Sequence, residues 1–267
     1  MQEKKGDLLQ WHSEAENAFL PHISLDCVIF GFHDGVLKIL LLKMKGLDQL
    51  SLPGGFMRRE ETLEAAAIRT LKERTGLENI FLQQYHVFSD PGRGDPVGID
   101  GRDEPGGRLE ALRKLGMHPA KLEWFGQRFI SVGFYALVEF SRVEPKPDIL
   151  SETCQWYGLE EHGTLVLDHD LILSTALSTL RMQLNHQPIG YNLLPRKFTM
   201  PELQKLYETI LGKKLDRRNF QRKMLSYGIL HVLDEKRTGV AHKAPYLYSF
   251  QLRNYQKALR SGLEAGW

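Results

Sequence analysis

Residues 61–74 combine charged side chains with the leucine and alanine periodicity of a helix. Positions 70, 73 and 74 share one face of such a helix, because they are three and four residues apart. Several oxygen ligands on one face would suit a hard divalent cation. This chain places Thr70, Glu73 and Arg74 there. The face therefore offers one carboxylate, and Arg74 adds a positive charge where a cation would bind.

A structural interpretation of the same residues stays open. Arg69 and Glu73 are also spaced as a surface i, i+4 ion pair, which is worth a few tenths of a kcal/mol. Glu61 favours a helix N-terminus through its charge, and Gly76 is a typical helix stop.

A second cluster of chemically active residues lies near the C-terminus. Asp216 is predicted to cap a helix whose buried side carries Phe220, Met224 and Leu225, with Ser226 on the outer face. Arginine and asparagine read guanine and adenine edges, and lysine suits phosphate contacts. A solvated basic face is the alternative interpretation. The candidate DNA-binding residues are Lys197, Arg217, Arg218, Asn219, Arg222, Lys223, Lys236, Arg237 and Lys243.

Two sets of secondary structure elements are predicted to position these residues. Gly/Pro-rich residues 90–127 read as a long loop, with a short helix at 106–116. Asp168 is expected to cap a helix to about residue 185, with His169 as a helix-start residue, and Thr199 to cap another with Glu202. The N-terminal set comprises strands at 23–32, 36–42, 80–88, 130–140 and 154–159 with a helix at 61–74; the C-terminal set comprises helices ending near 211 and 227 and strands at 229–234 and 246–250.

Charge is unevenly distributed along the 267 residues. Residues 1–194 hold 20 Lys+Arg and 27 Asp+Glu, whereas residues 195–267 hold 15 and 6, which together give the net charge of +2. A strongly basic C-terminal quarter indicates a polyanionic partner. No apolar run approaches the roughly 20 residues of a membrane span, no signal-peptide core is present, and two distant cysteines indicate a reducing compartment. We therefore expect a cytoplasmic protein with no membrane partner.

The first cluster resembles the Nudix signature. The resemblance covers residues 20–165 and includes the Leu-Pro-Gly-Gly-Phe run at 52–56. In active relatives positions 70, 73 and 74 are all glutamate and hold Mg²⁺ against a diphosphate, so Thr70 and Arg74 leave this site without two of the three metal-binding carboxylates. No catalytic residue or metal ligand is assigned. The residues that still match the signature, called here the Nudix box, are Gly55, Glu61, Arg69, Glu73 and Gly76.

The whole chain is similar to the Nudix-related transcriptional regulators. Residues 188–195, 198–204, 206–208 and 215–220 resemble their linker and winged helix. The resemblance implies an α+β protein, a Nudix α/β/α sandwich with a mixed sheet followed by a C-terminal winged helix-turn-helix. It also implies a homodimer that binds a palindromic double-stranded DNA operator.

The expected boundaries follow from these elements. We predict a leader at 1–19, a Nudix-like effector-binding domain at 20–165 with an insertion at 97–126, a linker helix and connector at 166–194, a winged helix at 195–255, and a tail at 256–267.

A Nudix fold without its metal cluster keeps a pocket for a small phosphorylated or sugar effector. Arg93 suits a phosphate, and we assign effector binding to Arg93, Glu73 and Phe56. Members of the family respond to ADP-ribose and related products of NAD metabolism or to pentoses such as arabinose, and residues 25–32 with the altered box are similar to the sugar-responsive branch. No cofactor is expected to be required, and Mg²⁺ only if hydrolase activity remains.

Three functions therefore stay open. The first is a ligand-responsive DNA-binding regulator of sugar or NAD metabolism. The second is a Mg²⁺-dependent hydrolase of ADP-ribose or a related nucleoside diphosphate derivative. The third is a general nucleic-acid-binding or scaffolding protein.

Overall fold

The computed structural model describes residues 19–45, 47–78, 80–91, 93, 128–237 and 244–263. The predicted insertion at 97–126 with its short helix, Lys243 and residues 1–18 of the leader lie outside these ranges. None of the helices within them is long and apolar enough to cross a membrane.

A seven-stranded sheet forms the N-terminal part. Its main order is β3-β2-β1-β6-β5, while β4 pairs with β1 and β7 with β2. Residues 27–30 and 39–41 are continuously buried, which is typical of strands covered on both faces. The strands are β1 Phe19–His33, β2 Val36–Met44, β3 Leu50–Ser51, β4 Gly54–Arg58, β5 Phe81–Phe88, β6 Ile130–Val138 and β7 Ser151–Gly158.

Helix α1 (Leu63–Thr75) follows strand β4. The Thr62 side chain accepts a hydrogen bond from the Ala65 N–H at 3.1 Å, so the helix begins two residues after the predicted start at residue 61. Gly76 ends it at a φ of +70°, a left-handed conformation that favours glycine. The predicted helix stop is confirmed.

Helix α2 (His169–Gln183) carries the expected apolar face, on which Ile172, Ala176 and Leu180 are buried. Thr175 and Ser174 on the other side are less buried and hydrogen-bond the Leu171 carbonyl.

The C-terminal part has the predicted order of two helices and a hairpin. Helix α3 (Met200–Leu211) begins with a capping box between Thr199 and Glu202, and Asp216 caps α4 (Arg217–Ser226). Strands β8 (Phe198–Thr199), β10 (Tyr246–Phe250) and β9 (Leu230–Lys236) form a three-stranded sheet in the order β8-β10-β9. A further helix, α5 (Leu252–Ser261), occupies part of the segment expected to be a tail.

The chain divides into two compact units. The first contains most of the sheet and α1 and continues to Ala176; the second comprises Phe30–Lys38, Leu137–Arg142 and the residues from Leu177 onward. The division falls within α2, and the expected domain boundaries near residues 165 and 194 stay predictions.

Candidate functional site

The Leu-Pro-Gly-Gly-Phe run at 52–56 lies against β1, and its residues from Gly54 onward belong to strand β4. In the antiparallel pairing of β1 and β4, Asp26 is opposite Gly54 and Leu25 is opposite Gly55. A Cβ atom at Gly54 would lie 2.7 Å from Asp26 Oδ1 and 2.9 Å from the Leu25 carbonyl oxygen. Glycine is therefore required at position 54 by the close approach of the two strands.

Arg69 on α1 connects this helix to strand β4 and to Glu61. Its Nη2 donates to Glu61 Oε1 at 2.6 Å and to the Phe56 carbonyl at 2.9 Å, and Nη1 lies 3.6 Å from Glu73 Oε1. Burial favours the neutral Glu61 carboxyl, but hydrogen bonds from Arg69 and from the Arg58 N–H outweigh it and lower the pKa of Glu61. The closest acidic partner of Arg69 is thus Glu61 rather than Glu73.

The face of α1 that carries Thr70, Glu73 and Arg74 does not fit a divalent cation. Thr70 is buried, and its hydroxyl has no hydrogen-bond partner among the described residues. Arg74 Nη2 lies 3.4 Å from Glu73 Oε2 and 3.8 Å from Asp148 Oδ2, so Glu73 faces guanidinium groups from both Arg69 and Arg74. Within the described ranges no three His, Cys, Asp or Glu side chains are grouped to hold a metal ion. We derive no metal-dependent step at this face.

Arg93, predicted to bind phosphate, is held by two acidic side chains. Its Nε lies 2.8 Å from Asp168 Oδ2 and its Nη2 3.4 Å from Asp26 Oδ2, while Nη1 donates to the Phe129 carbonyl at 3.2 Å. The Arg93 side chain is only 7% exposed. Asp168, expected to cap α2 with its side chain, uses its carboxylate to bind Arg93 instead.

A buried polar cluster continues from Asp26. Ser131 Oγ donates to Asp26 Oδ2 at 2.5 Å, and His169 Nε2 lies 3.6 Å from Asp26 Oδ1. His169 Nδ1 accepts from the Leu52 N–H at 3.0 Å, so a neutral His169 carries its proton on Nε2, facing Asp26. Neither Asp26 nor Ser131 was predicted from the sequence to have a role; the available signal was an aspartate within the apolar run 25–32.

Aromatic side chains link the candidate effector residues. The Phe56 ring centroid lies 5.8 Å from that of Phe19 and 5.4 Å from that of Phe129. Phe129 in turn accepts the hydrogen bond from Arg93, and Arg69 joins the Phe56 carbonyl to Glu73. Contacts thus connect Phe56 to both Arg93 and Glu73, whose effector-binding roles stay predictions.

Helix α4 presents most of the predicted recognition residues to solvent. Phe220 and Met224 are buried, and Tyr207 packs edge-on against Phe220 at 5.4 Å. Leu225, predicted to be buried, is 40% exposed; it lies about 100° around the helix from Met224. The exposed polar residues of α4 are Arg217, Arg218, Asn219, Arg222 and Ser226, with Arg222 Nη2 donating to Asn219 Oδ1 at 3.0 Å.

Lys223, one of the candidate DNA-binding residues, is less exposed than the other candidates on α4. Its side chain is partly buried, and burial together with the nearby Lys213 charge lowers the pKa of Lys223. Lys223 is therefore a less accessible phosphate ligand than its position on a helical wheel indicates.

Two of the predicted phosphate-binding cations outside α4 have acidic partners. Lys197 Nζ lies 2.7 Å from Glu235 Oε2, and Arg237 Nη2 binds Glu202 Oε1. Lys236 Nζ lies 5.0 Å from the centre of the Tyr246 ring. The sequence placed Lys236 and Arg237 in the wing, the loop region between β9 and β10. The ion pairs of Lys197 and Arg237 depend on the fold, because each joins residues more than 30 positions apart.

Comparisons with known proteins agree with this architecture. The family model of the NUDIX domain matches residues 20–175, and that of the NrtR DNA-binding winged helix domain matches residues 190–250. An "ADPR responsive transcriptional repressor NtrR" of Acinetobacter baylyi is 30% identical over 243 residues, which cover 88% of this chain and 84% of that protein.

Two crystal structures of Shewanella oneidensis NrtR, one of them complexed with a 27mer DNA, are similar in fold. Each has a TM-score of 0.68 and 21% identity and covers 92% of this chain; the match spans 100% of the first chain and 99% of the DNA-bound one. The predicted Nudix fold followed by a C-terminal winged helix is confirmed.

Proposed function

Because the chain belongs to the Nudix-related transcriptional regulator family, we propose that it represses transcription by binding a palindromic operator as a homodimer and that ADP-ribose controls this binding. The observation that carries the proposal is the exposed row of basic and amide side chains on α4, in a winged helix that follows a Nudix domain.

The chemistry of α4 supports specific DNA binding. Arg218, Asn219 and Arg222 are exposed on a helix held from behind by Phe220 and Met224. Arginine and asparagine can each make two hydrogen bonds to a base edge in the major groove. A helix presenting them on a rigid base can discriminate base pairs, which a general polyanion-binding surface would not do.

The Nudix domain supports a ligand-sensing role rather than hydrolysis. Its altered box pairs Glu73 with two guanidinium groups, while Phe19, Phe56 and Phe129 form an aromatic group beside Arg93. The partly exposed rings of Phe19 and Phe56 can stack on adenine, with Phe129 packed behind Phe56, and an arginine can bind a phosphate. The name of the Acinetobacter baylyi relative gives ADP-ribose as the effector of that protein, and we assign the same effector class here.

The test begins with selection of operator fragments from host genomic DNA by the purified protein at near-physiological salt. Enrichment of a palindrome of about 20 base pairs, read by two symmetric winged helices, is the expected result. Light scattering of the free protein should give the mass of a dimer. Recovery of no enriched sequence overturns the proposed function.

The effector is then tested on the selected operator. ADP-ribose should change the operator Kd at least about tenfold, because an effector acts through unequal affinity for the free and DNA-bound states. AMP and ribose 5-phosphate serve as matched fragments, and arabinose tests the sugar-responsive alternative. A response to arabinose without a response to ADP-ribose would assign the chain to sugar sensing.

Residual hydrolysis is tested separately with ADP-ribose and Mg²⁺. We expect no AMP release above the uncatalysed rate, since Thr70 and Arg74 replace two carboxylates. AMP release that is lost in Glu73→Gln would instead favour the hydrolase.

A further inference from the structure

Helix α5 carries a compact basic face. Arg253, Lys257 and Arg260 are exposed and lie at i, i+4 and i+7, which places them within roughly 60° of one another around the helix. The helix contains no aspartate or glutamate. In the part of the chain that the structure describes, none of the three forms an ion pair, in contrast to Lys197 and Arg237.

Tyr255 fixes the orientation of this face. It is buried on the opposite side of α5, where its hydroxyl donates to the Pro188 carbonyl at 2.8 Å. Its ring centroid lies 5.1 Å from that of Phe250 and 5.5 Å from that of Tyr191. Rotation of the helix would break these contacts, so the three cations are held towards solvent.

The first turn of α5 is joined to the end of the candidate recognition helix. The Gln251 N–H donates to the Ile229 carbonyl at 2.8 Å, and Asn254 Nδ2 donates to the Gly228 carbonyl at 2.8 Å. Gly228 comes two residues after the last residue of α4. The basic face therefore starts beside the C-terminal end of α4.

The face is also rich in hydrogen-bond donors. Gln256 and Ser261 lie beside Arg253, Lys257 and Arg260 on the same open surface of the helix. Cations and neutral hydrogen-bond donors without acidic side chains suit a phosphodiester backbone, which offers charge and acceptors but no donors. The matched winged-helix region ends at residue 250, so this face lies beyond it.

We propose that α5 is a second DNA-binding surface, which contacts backbone phosphates flanking the base pairs read by α4. The inference rests on the proposed function for its partner, double-stranded DNA, and adds a contact outside the recognition helix and wing. The surface should contribute affinity but no base preference, because phosphates carry no sequence information.

The test compares two triple variants of the full-length protein. Arg253→Gln/Lys257→Gln/Arg260→Gln removes three charges, and Arg253→Lys/Lys257→Arg/Arg260→Lys retains them as the matched control. The slope of log Kobs against log salt concentration is measured on the selected operator and on a 30-base-pair duplex of unrelated sequence. Circular dichroism and thermal unfolding check that both variants are folded.

Removal of three phosphate contacts should reduce the magnitude of the salt slope by about 2 to 3 on both duplexes and weaken binding at least about tenfold at low salt. The charge-retaining control should bind like wild type, and the selected base sequence should not change. Equal slopes for wild type and the glutamine variant on both duplexes would overturn the inference.

The two proposals fail differently. If wild type enriches no sequence but the glutamine variant still has the smaller slope, the operator-binding proposal fails and the α5 surface stands. If Arg222→Ala weakens operator binding while the α5 variants do not, the α5 proposal fails and the operator-binding proposal stands. Should the glutamine triple variant not fold, each single variant is expected to reduce the slope by about 0.9.

Discussion

The guanidinium of Arg93 is bound to the carboxylate of Asp168, with 2.8 Å between Nε and Oδ2, although the residues are 75 positions apart. Asp26 Oδ2 lies 3.4 Å from the same guanidinium, so one arginine pairs with two acidic side chains. An effector phosphate at Arg93 would therefore compete with Asp26 and with Asp168, which immediately precedes α2.

Arg93→Ala should destabilise the protein by about 3 kcal/mol, because it leaves two largely buried carboxylates without their cation. Urea unfolding followed by circular dichroism measures this. Lys72→Ala, which removes a cation from an exposed pair with Glu78, is the control and should cost under about 0.5 kcal/mol. The double variant Arg93→Ala/Asp168→Asn should cost less than the sum of its single changes. A loss below about 0.5 kcal/mol for Arg93→Ala would contradict this account.

Glu61→Gln should lower the free energy of unfolding by about 2 kcal/mol at pH 7, since it removes the charged partner of Arg69. The folded-state pKa of Glu61 lies below its ordinary value of 4.5. The stabilisation is therefore fully present above about pH 4.5 and is lost as the pH falls through the lowered pKa. The difference between wild type and variant should be constant from pH 5.5 to 7 and shrink below 4.5. A difference independent of pH down to 3 would count against the pairing.

Thr70→Val should raise the free energy of unfolding by about 1 kcal/mol, because it removes a buried hydroxyl that has no described hydrogen-bond partner. Thr75→Val is the matched control on the same helix. The Thr75 hydroxyl donates to the Leu71 carbonyl at 2.7 Å and accepts from the Leu77 N–H at 3.2 Å, so its removal should cost about 1 kcal/mol. Thermal unfolding of both variants checks the prediction, and destabilisation by both would show that the Thr70 hydroxyl is bonded.

Arg222→Ala should weaken operator binding by about 1–3 kcal/mol and relax base preference, as expected for a residue that reads a base edge. Competition between operator and single-base variants measures both the affinity and the base preference. Wild-type operator affinity in Arg222→Ala would mean that α4 is not the recognition helix.

Lys236→Ala should reduce the magnitude of the salt slope by about 1 and leave base preference unchanged. The slope of log Kobs against log salt concentration on the selected operator measures this effect, and an unchanged slope would mean that Lys236 contacts no phosphate.

Glu235→Gln should strengthen DNA binding a few-fold at low salt, since it frees Lys197 from its ion pair at 2.7 Å. The neighbouring Asp234→Asn makes the same change in charge at an exposed residue without a described ion pair, and should have a smaller effect. Equal effects of the two variants would assign the gain to net charge rather than to the release of Lys197.

Short-range chemistry made much of the architecture predictable. The caps at Thr199 and Asp216 and the helix stop at Gly76 depend on residues within one or two turns. The imbalance of 15 basic and 6 acidic residues after position 194 follows from composition alone. The replacement of two metal-binding carboxylates by Thr70 and Arg74 was also predictable from the sequence, because i, i+3 and i+4 positions share a face in any α-helix.

Long-range contacts set the electrostatic state of the predicted residues. Arg93 was a candidate phosphate ligand, but its pairing with Asp26 and Asp168 joins residues 67 and 75 positions apart. Glu235 neutralises Lys197 across 38 positions for the same reason. Leu225 is apolar yet 40% exposed, whereas the adjacent Met224 is buried. Side-chain type and spacing specify which groups are available, whereas packing between distant segments determines which of them are already paired.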